Sequence, residues 1–462
     1  MKRRSSHRGT ASAHERITAL AEQRAVHEAF RWFHLHHQQL LREQAELVAI
    51  PAPPFAETLR SEWIAARFTA IGLESVITDA VGNVMARLPL AADPDANQAV
   101  VLVSAHLDTV FPIDTPLAPA LREDRLEAPG ACDNATGVIG MLALAQSMLA
   151  AAIRPGAELW FVGNVGEEGE GDLRGMRHLY QQAPFRHRIR CHIVLDGAGA
   201  ESAVTQALGS RRFQVRITGP GGHSFTDAGT ANPILALSDA LTRLAAAAQI
   251  QEASRTTFSV GTIHGGTSVN SIPESATAAI DFRSIDPNDL LRLEVALHRA
   301  VEDAVDRAND AAEEHARKRQ APFVPLRAVI EKIGDRPTGA LPDAAPLLET
   351  LRAVDRHLQL RTDPRLGSTD ANWPLSLGIP AISLGAGGEG GSPHTRAEWY
   401  CATDRELGLK RILLLTLAML EQTATTDSAG LAHSADVAHS TDLTQSAGAH
   451  ADPARAIGQA RS

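Results

Sequence analysis

Cysteine is scarce in this chain, whose 462 residues include only three. The three residues, Cys132, Cys191 and Cys401, are too few and too widely spaced for a disulfide framework, and no two of them form a CxxC pair. A reducing compartment is therefore expected, and we predict a cytoplasmic location. The N-terminal segment MKRRSSHRGTASAHERITAL agrees with this expectation, because it lacks the continuous apolar stretch of a signal peptide.

The chain also lacks a surplus of positive charge and a long apolar run. Its formal net charge is -10, and no segment concentrates lysine and arginine on the scale that phosphate binding needs. No window approaches the ~20 uninterrupted apolar residues of a membrane-spanning helix. The longest apolar run, ILLLTLAML, is short and reads as part of a final helix. We expect neither a nucleic acid nor a membrane as a partner.

Apolar residues make up 44% of the sequence, which is typical of globular proteins, and the length suggests two domains. The two ends differ from the rest. Residues 1–28 are polar, and residues 423–462 combine Ser, Thr, Ala, Gly, His and Asp with almost no large apolar side chains. Such segments bury too little surface to offset the entropy lost on ordering. We predict a flexible N-terminal tail and a disordered C-terminal tail.

Between these ends, apolar strands alternate with helices. AVVLVSAHLDTV, AELWFVGNV and CHIVLDGAG are nearly continuous apolar runs, as expected of strands covered on both faces, and NATGVIGMLALAQSMLAAA reads as a helix. The same kind of pattern resumes at GIPAISLG. This alternation predicts an α/β domain built from two segments, residues 29–208 and 328–422.

The intervening residues 209–327 follow another pattern. RRFQVRITG, TTFSVGTIHGG and ESATAAIDFRS alternate as half-exposed strands do, and a closing strand is possible near PLRAVIE. Two helices begin at Asn232-Pro233 and Asp286-Pro287, where a capping side chain precedes a proline at the first helical position. The βαββαβ order predicts a small ferredoxin-like α+β domain inserted into the α/β domain.

Side chains that can bind metals follow four of the predicted strands. They are His106 and Asp108 in VSAHLDTV, Glu167 and Glu168 in WFVGNVGEE, Asp196 in IVLDGAG, and His394 in AISLGAGGEGGSPHT. Asp133 adds another carboxylate just before a predicted helix, where it could also serve as an N-cap. Each residue taken alone is more often structural. Because ligands gather at the carboxyl ends of strands in open α/β sheets, their joint occurrence predicts one site.

The residue types suit a pair of divalent metal ions. Two imidazoles and three carboxylates fit zinc, with cobalt or manganese as alternatives; these five are His106, Asp133, Glu168, Asp196 and His394. Two neighbouring cations need a bridging carboxylate, and water between them becomes a nucleophile near neutral pH. Glu167, next to a ligand, can accept the proton of that water. Asp108 is placed to orient the imidazole of His106.

Taken in order, a series of segments resembles the co-catalytic di-zinc amidohydrolase family. The segments are HLDTVFP, GACDNATG, GEEGEGDLRG, VLDGAG, GPGGHS, SVNSIPESATAAIDFRS, GSTDAN and PHT. Members of this family include peptidase T, carboxypeptidase G, aminoacylase and succinyl-diaminopimelate desuccinylase. The resemblance covers about residues 45–422. It implies a zinc-exopeptidase-like catalytic domain with a mixed central sheet, and a homodimer formed through a dimerisation or lid domain at residues 209–327.

The resemblance also implies a role for each candidate metal ligand. Asp133 would bridge the two metals, and the remaining ligands would complete the two sites in pairs, His106 with Asp196 and Glu168 with His394. Glu167 would act as the general base and then as the general acid. A cis peptide bond is expected between Asp133 and Asn134, as is typical of the family.

Three residues of the inserted domain match family positions that contact the substrate. His223 corresponds to a histidine that reaches into the active site of the partner subunit and stabilises the oxyanion, although a turn residue is an alternative interpretation. Asn270 and Arg283 correspond to residues that hold a carboxylate or carbonyl of the substrate, and a surface salt bridge is an equal alternative for Arg283. Glu170 and Asp172 receive no role.

We therefore expect a metal-dependent hydrolase of short peptides, a peptidase T-like exopeptidase. Deacylation of N-acyl amino acids by the same mechanism is an alternative. A rival hypothesis from another class is a non-catalytic dimeric binding protein that retains the fold. Changing Glu167 to Ala separates enzyme from binding protein, because an enzyme would lose its activity while its metal persists.

Overall fold

The described part of the chain, residues 12–91, 97–248 and 254–440, contains eleven α-helices in this computed structural model. The helices are α1 (Ala13–Ala21), α2 (Arg24–Leu35), α3 (His37–Val48), α4 (Thr58–Ile71), α5 (Ala135–Ala150), α6 (Arg174–Gln182), α7 (Pro233–Ala247), α8 (Pro287–Arg319), α9 (Pro346–His357), α10 (Asn372–Ser376) and α11 (Arg405–Ser440). None of these helices is both long and apolar enough to cross a membrane.

The same described residues form nineteen strands. They are β1 (Glu74–Thr78), β2 (Val84–Arg87), β3 (Val100–His106), β4 (Ala120–Arg122), β5 (Arg125–Glu127), β6 (Glu158–Asn164), β7 (Ile189–Leu195), β8 (Ser202–Ala207), β9 (Gly209–Thr218), β10 (Gly222–His223), β11 (Thr257–Gly265), β12 (Ser271–Ile272), β13 (Ser275–Ser284), β14 (Arg327–Arg336), β15 (Gly339–Ala340), β16 (Asp363–Gly367), β17 (Ala381–Leu384), β18 (Glu389–Gly391) and β19 (Trp399–Cys401).

The central sheet has nine strands in the order β1-β2-β6-β3-β7-β17-β8-β15, with β16 paired to β8. Strands β6, β3, β7 and β17 are parallel neighbours, whereas β2 pairs with β6 antiparallel, so the sheet is mixed. Every residue of β3, β6 and β17 is buried, as their continuous apolar sequence predicts. The predicted α/β class with a mixed central sheet is confirmed.

Alternate residues of β3 enter two apolar cores. Val101 and Val103 belong to the larger core, to which α5 and the final helix α11 also contribute, whereas Val100 and Leu102 pack with α6 on the opposite face. Helices therefore cover both faces of the parallel strands. This covering leaves the carboxyl ends of the strands as the edge at which polar side chains gather.

The prediction of a flexible tail over residues 1–28 is wrong within the described residues. Helices α1 and α2 bury Ile17, Leu20 and Val26 and contact α9, α11 and α5. The side chain of Ser12 accepts a hydrogen bond from the backbone of Glu15, and the Glu15 side chain accepts one in return. A narrow apolar stripe thus orders a segment whose average composition is polar.

The predicted C-terminal tail begins too early. Helix α11 continues through residue 440, and Thr423 is buried with its hydroxyl 2.9 Å from the carbonyl of Met419. Frequent alanine favours a helix in a segment that has few large apolar residues, which explains why composition alone is misleading here. The rest of the predicted tail, residues 441–462, lies outside the described residues.

The inserted region forms a second, four-stranded antiparallel sheet in the order β11-β13-β9-β14, and α7 and α8 pack on it around a separate apolar core. This is the predicted ferredoxin-like arrangement. Its last strand, β14, begins at Arg327 and ends at Arg336, so the predicted boundary at 327 is too early. The strand predicted near PLRAVIE continues through the charged residues KIGDR (332–336), because β14 lies at an edge of the second sheet. We call residues 209–336 the inserted domain.

Candidate metal centre

The predicted metal ligands meet at the carboxyl edge of the central sheet. His106 ends β3, and the parallel strands β6 and β7 lead to Glu168 and Asp196 beside it. Asp133 lies just before α5, and His394 lies in the connection between β18 and β19. Five positions that are far apart in sequence therefore converge, as the strand-end argument predicts.

Two groups of three side chains share Asp133. Within each group the possible ligand atoms lie within 4.8 Å of one another; the groups are His106, Asp133 and Asp196, and Asp133, Glu168 and His394. One carboxylate oxygen of Asp133, Oδ1, lies 3.1 Å from His106 Nε2, and the other, Oδ2, lies 3.0 Å from His394 Nε2. The two oxygens of Asp133 therefore face different groups, as a bridging carboxylate requires.

Two features of these two groups of side chains suit divalent metal ions: the imidazole and carboxylate donor atoms, and one buried carboxylate oxygen without a hydrogen bond. Asp133 Oδ1 is buried and makes no hydrogen bond, although an imidazole nitrogen lies close by. On the other side, hydrogen bonds with Asp133 and Glu168 raise the pKa of His394 to about 10. Neighbouring carboxylates also raise the pKa of His106 well above its usual range, although burial opposes them. Imidazoles so strongly surrounded by negative charge are in an environment that favours bound cations.

Asp108 supports this cluster from a fully buried position. Its carboxylate accepts hydrogen bonds from the backbone N–H groups of Glu167 and Glu168, at 3.0 and 2.7 Å. His106 Nδ1 lies 3.1 Å from the backbone carbonyl of Asp108 and 3.7 Å from its carboxylate. The predicted orientation of His106 thus involves the main chain of Asp108, while its carboxylate positions the two glutamates.

The predicted general base, Glu167, has a partner that the sequence analysis missed. Arg336 Nη1, at the end of β14, lies 2.9 Å from Glu167 Oε1, and both side chains are buried. Burial raises the pKa of Glu167 well above its usual range, and Arg336 opposes this shift. A carboxyl with a raised pKa is suited to accept and return a proton near neutral pH.

The loop that carries Asp133 is held by a second missed residue, Glu398. The carboxylate of Glu398 accepts hydrogen bonds from the backbone N–H groups of Gly130, Cys132 and Asp133, at 2.8, 2.8 and 2.7 Å. Glu398 follows His394 by one short turn of chain. It thereby connects the segment of one candidate ligand to the loop of another, and its only sequence signal is this proximity to His394.

Asn134 fixes the other side of the same loop. The peptide bond between Asp133 and Asn134 is cis, so this expectation is confirmed. The Asn134 side chain donates to the carbonyl of Leu195 at 2.9 Å and accepts from the N–H of Gly197 at 3.1 Å. It therefore binds the residues on both sides of Asp196 and holds the two candidate ligands together.

Two further residues near the cluster are neutral or structural in character. Burial raises the pKa of the Cys132 thiol to about 12, so this thiol stays protonated near neutral pH and packs as a small side chain. Asp370, from the segment GSTDAN, is buried and accepts a hydrogen bond from the side chain of Asn164 at 2.7 Å. Its burial raises the pKa of Asp370 to about 7.

The structure does not bring His223 and Asn270 to the cluster of the same chain. Both are exposed at the pairing of β10 with β12, where the N–H of Ser224 donates to the carbonyl of Asn270 at 3.0 Å. They lie beyond the Thr218 end of β9, whereas Arg336, which contacts Glu167, pairs with the opposite end. The length of β9 between these ends is roughly 27 Å.

Arg283 lies at the end of the second sheet that is nearer to the cluster. It pairs with Ser210 across β13 and β9, and Ser210 pairs in turn with Arg336. Its Nε atom donates to Asp281 Oδ2 at 2.7 Å, which is the salt bridge of the alternative interpretation. Substrate binding by Arg283 and by Asn270 stays a prediction.

Known proteins resemble this chain over much of its length. The sequence model described as Peptidase family M20/M25/M40 matches residues 102–418. A succinyl-diaminopimelate desuccinylase of Verminephrobacter eiseniae (strain EF01-2) is 26% identical over 265 residues, which cover 52% of this chain and 66% of that relative. A probable carboxypeptidase of Talaromyces marneffei is 26% identical over 230 residues, and the match spans 45% of this chain and 50% of the relative.

Solved structures share the fold. A tripeptidase from Staphylococcus aureus subsp. aureus mu50 has a TM-score of 0.65 at 21% identity, covering 83% of this chain and 99% of that structure. The aminopeptidase PepT from Bacillus cereus ATCC 10987 has a TM-score of 0.64 at 18% identity, covering 83% and 98%. A dinuclear metal-binding peptidase from the M20 family of Bacillus subtilis has a TM-score of 0.58 at 14% identity, covering 84% and 99%.

Proposed function

Since this chain belongs to peptidase family M20/M25/M40, a family of peptidases and amidohydrolases, we propose that it hydrolyses peptide bonds in short peptides as a peptidase T-like exopeptidase. Two divalent metal ions, with zinc as the first choice and cobalt or manganese as alternatives, would occupy the two groups of ligands. The observation that carries this proposal is Asp133, whose two oxygens face His106 and His394 respectively. Such a shared carboxylate suits a two-metal site.

The residues of the chain would divide the chemistry as follows. When bound, the metals would polarise the scissile carbonyl and lower the pKa of the attacking water. Glu167 would take the proton from that water and later deliver it to the leaving amine. Its raised pKa supports this double role. The Asp108 carboxylate accepts hydrogen bonds from the backbone N–H groups of Glu167 and Glu168. It would thereby fix the position of the base, Glu167, relative to the neighbouring metal ligand, Glu168.

His223 would act in a second copy of the chain. The length of β9 separates it from the cluster of its own chain, and it is exposed at the far end of the inserted domain. Strand β11 forms an edge of the second sheet and exposes Val260 and Ile263, which supports a homodimer formed through residues 209–327. In that dimer His223 would stabilise the oxyanion, while Asn270 and Arg283 would hold the substrate.

Deacylation of N-acyl amino acids is the second candidate, and the similarity to the desuccinylase favours it. The tripeptidase and PepT folds support peptides as the first choice. Both reactions would use the same metals and the same base. They differ in the group on the acyl side of the bond. A cytoplasmic location for either reaction remains a prediction from the cysteine content.

A substrate panel tests the proposal. Metal-depleted protein is reconstituted with zinc, cobalt or manganese and incubated with dipeptides, tripeptides and N-acyl amino acids. We expect metal-dependent release of an amino acid, fastest from a tripeptide. Faster turnover of N-acyl amino acids would support the second candidate, and no turnover of either class with any metal would contradict both. E167A then separates an enzyme from a binding protein, because only an enzyme loses turnover while it retains metal.

A further inference from the structure

The acidic loop after β6, residues 167–172, is fastened to the inserted domain. The carboxylate of Asp172 accepts hydrogen bonds from the N–H of Asp335 at 2.9 Å and from Arg177 at 3.0 Å. At the middle of the loop, Arg212 Nη1 donates to the carbonyl of Gly169 at 2.9 Å. Asp172, which the sequence analysis left without a role, therefore docks the end of β14 onto the catalytic domain.

Arg336 of the inserted domain contacts the candidate general base itself, Glu167. One guanidinium nitrogen, Nη1, lies 2.9 Å from Glu167 Oε1 and 3.3 Å from the hydroxyl of Ser368. The other, Nη2, donates to the backbone carbonyl of Glu167. The Arg336 side chain is 5% exposed and that of Glu167 is 7% exposed. The planar guanidinium therefore holds both the carboxylate and the main chain of Glu167, away from competing water.

Glu167 would otherwise have a second role available. Its carboxylate lies with His106 and Glu168 in a third group whose possible ligand atoms are all within 4.8 Å of one another. A carboxylate in that position is within reach of a metal bound by its neighbours. A base that becomes a ligand can no longer move protons, because its lone pairs are donated to the metal.

We propose that Arg336 is the positioning residue of the general base: it keeps Glu167 out of metal coordination, and it does so only while the inserted domain is docked. Arg336 belongs to β14, so movement of the inserted domain away from the acidic loop would withdraw the guanidinium from Glu167. Removing one partner of a buried ion pair leaves an uncompensated charge, which then turns to the nearest cation. This inference rests on the proposed function, since it requires bound metal ions and a base.

Cobalt(II) is the probe for the test, because its visible absorption reports the number and geometry of its ligands. Protein reconstituted with cobalt is compared for the wild type, R336M, R336K and the double variant R336M/E167Q. We expect R336M to change the spectrum, as Glu167 becomes a ligand, and the double variant to return the wild-type spectrum. An R336M spectrum identical to that of the wild type would overturn the proposal, whatever happens to turnover.

Steady-state kinetics give the second reading. General-base catalysis contributes roughly 10²–10⁴-fold, so we expect R336M to lower kcat about 100-fold while KM changes less than about threefold. R336K keeps the positive charge but cannot contact both the carboxylate and the backbone carbonyl of Glu167. We expect kcat of R336K to be about tenfold higher than that of R336M. An equal effect of R336M and R336K on KM, with kcat unchanged, would overturn the positioning role. Thermal unfolding confirms that each variant is folded.

Matched variants address the docking. D172A loosens β14 without touching Glu167, and we expect kcat to fall about tenfold, with the cobalt spectrum shifted towards that of R336M. E170Q, an exposed neighbour in the same loop, is the control. R188M is the control for loss of an arginine that pairs with a buried carboxylate, because Arg188, itself 24% exposed, pairs with the buried Glu158 at the opposite end of β6. Wild-type behaviour of D172A would refute the link to docking.

The outcomes also separate this inference from the proposed function. If the wild type neither binds cobalt nor turns over any substrate of the panel, the proposed function fails. If the wild type does both and R336M keeps the wild-type cobalt spectrum, only the role of Arg336 fails.

Discussion

The carboxyl edge of the central sheet and the far end of the inserted domain both carry side chains expected to act on one substrate, yet their positions differ. At the sheet edge, His106 Nε2 and Asp133 Oδ1 of one chain are 3.1 Å apart. At the far end of the inserted domain, His223 is exposed and separated from that cluster by the length of β9. One region is assembled by the fold of a single chain. The other would reach a substrate in the proposed dimer, at the site of a second copy.

This difference has a physical cause. Three of the candidate ligands, His106, Glu168 and Asp196, follow strands of one hydrogen-bonded sheet, so pairing in register sets their separation before any side chain is considered. The inserted domain has its own sheet and core, and it contacts the loop beside the cluster at Glu167, Gly169 and Asp172. Contacts between domains are weaker determinants of geometry than a shared sheet.

The largest effect is expected at the shared ligand. D133N removes the carboxylate that faces both His106 and His394, so we expect both metals to be lost and turnover to fall to background. Metal content after dialysis, measured by atomic emission, checks this outcome. E389Q, at an exposed carboxylate near His394, is the control. Retention of both metals by D133N would show that the two groups are independent sites.

The next effect distinguishes the two regions directly. H223A should lower kcat about 10²–10³-fold, as expected for loss of an oxyanion donor. When H223A is mixed with E167A and the subunits exchange, mixed dimers contain one complete site. We then expect recovery of about a quarter of the wild-type activity. Absence of any recovery, with subunit exchange confirmed by mass spectrometry, would place His223 in the site of its own chain.

A smaller effect, on metal affinity, is expected at Glu398, which holds the loop of the candidate ligand Asp133. The Glu398 carboxylate accepts hydrogen bonds from three backbone N–H groups in the loop of Asp133. E398Q replaces one of the two accepting carboxylate oxygens by an NH2 group, which can only donate. Residues that orient metal ligands typically change metal affinity by about 10–100-fold. We expect isothermal calorimetry to show a loss of this size in E398Q and none in E389Q. Unchanged affinity in E398Q would mean that the loop is held by its other contacts, such as those of Asn134.

The smallest effect concerns protons. In the metal-free protein the pKa of His394 is raised to about 10 by its hydrogen bonds to Asp133 and Glu168. His394 therefore stays protonated at pH 8 and must lose that proton to bind a metal. We expect metal affinity to rise with pH, by up to about tenfold per unit for one displaced proton, until pH 10. Calorimetry in buffers of different ionisation enthalpy checks whether binding at pH 8 releases a proton.

Much of this comparison could be predicted from the sequence, and the exceptions share a cause. His106, Glu168 and Asp196 follow continuous apolar strands, so their meeting at one edge follows from strand order. Arg336 and Glu398 carry no such pattern. Arg336 ends a partly exposed strand, 169 residues from the glutamate that it contacts, and Glu398 acts through backbone N–H groups that have no sequence signature.

The ends of the chain teach a related lesson. The average composition of residues 1–28 is polar, but a stripe that includes Ile17 and Leu20 suffices to anchor α1 on the core. Composition sums over all faces of a helix, whereas packing uses only one. At the start of the predicted C-terminal tail the cause is the alanine content, which favours the helix, and α11 continues beyond residue 423.

A crystal structure of the zinc-reconstituted protein, with anomalous differences measured at the zinc edge, tests the central claim most directly. The account predicts two peaks on opposite sides of the Asp133 carboxylate, one beside His106 and Asp196 and the other beside Glu168 and His394, with Glu167 coordinated to neither. A single peak, or no peak next to Asp133, would contradict the two-metal site from which the proposed chemistry follows.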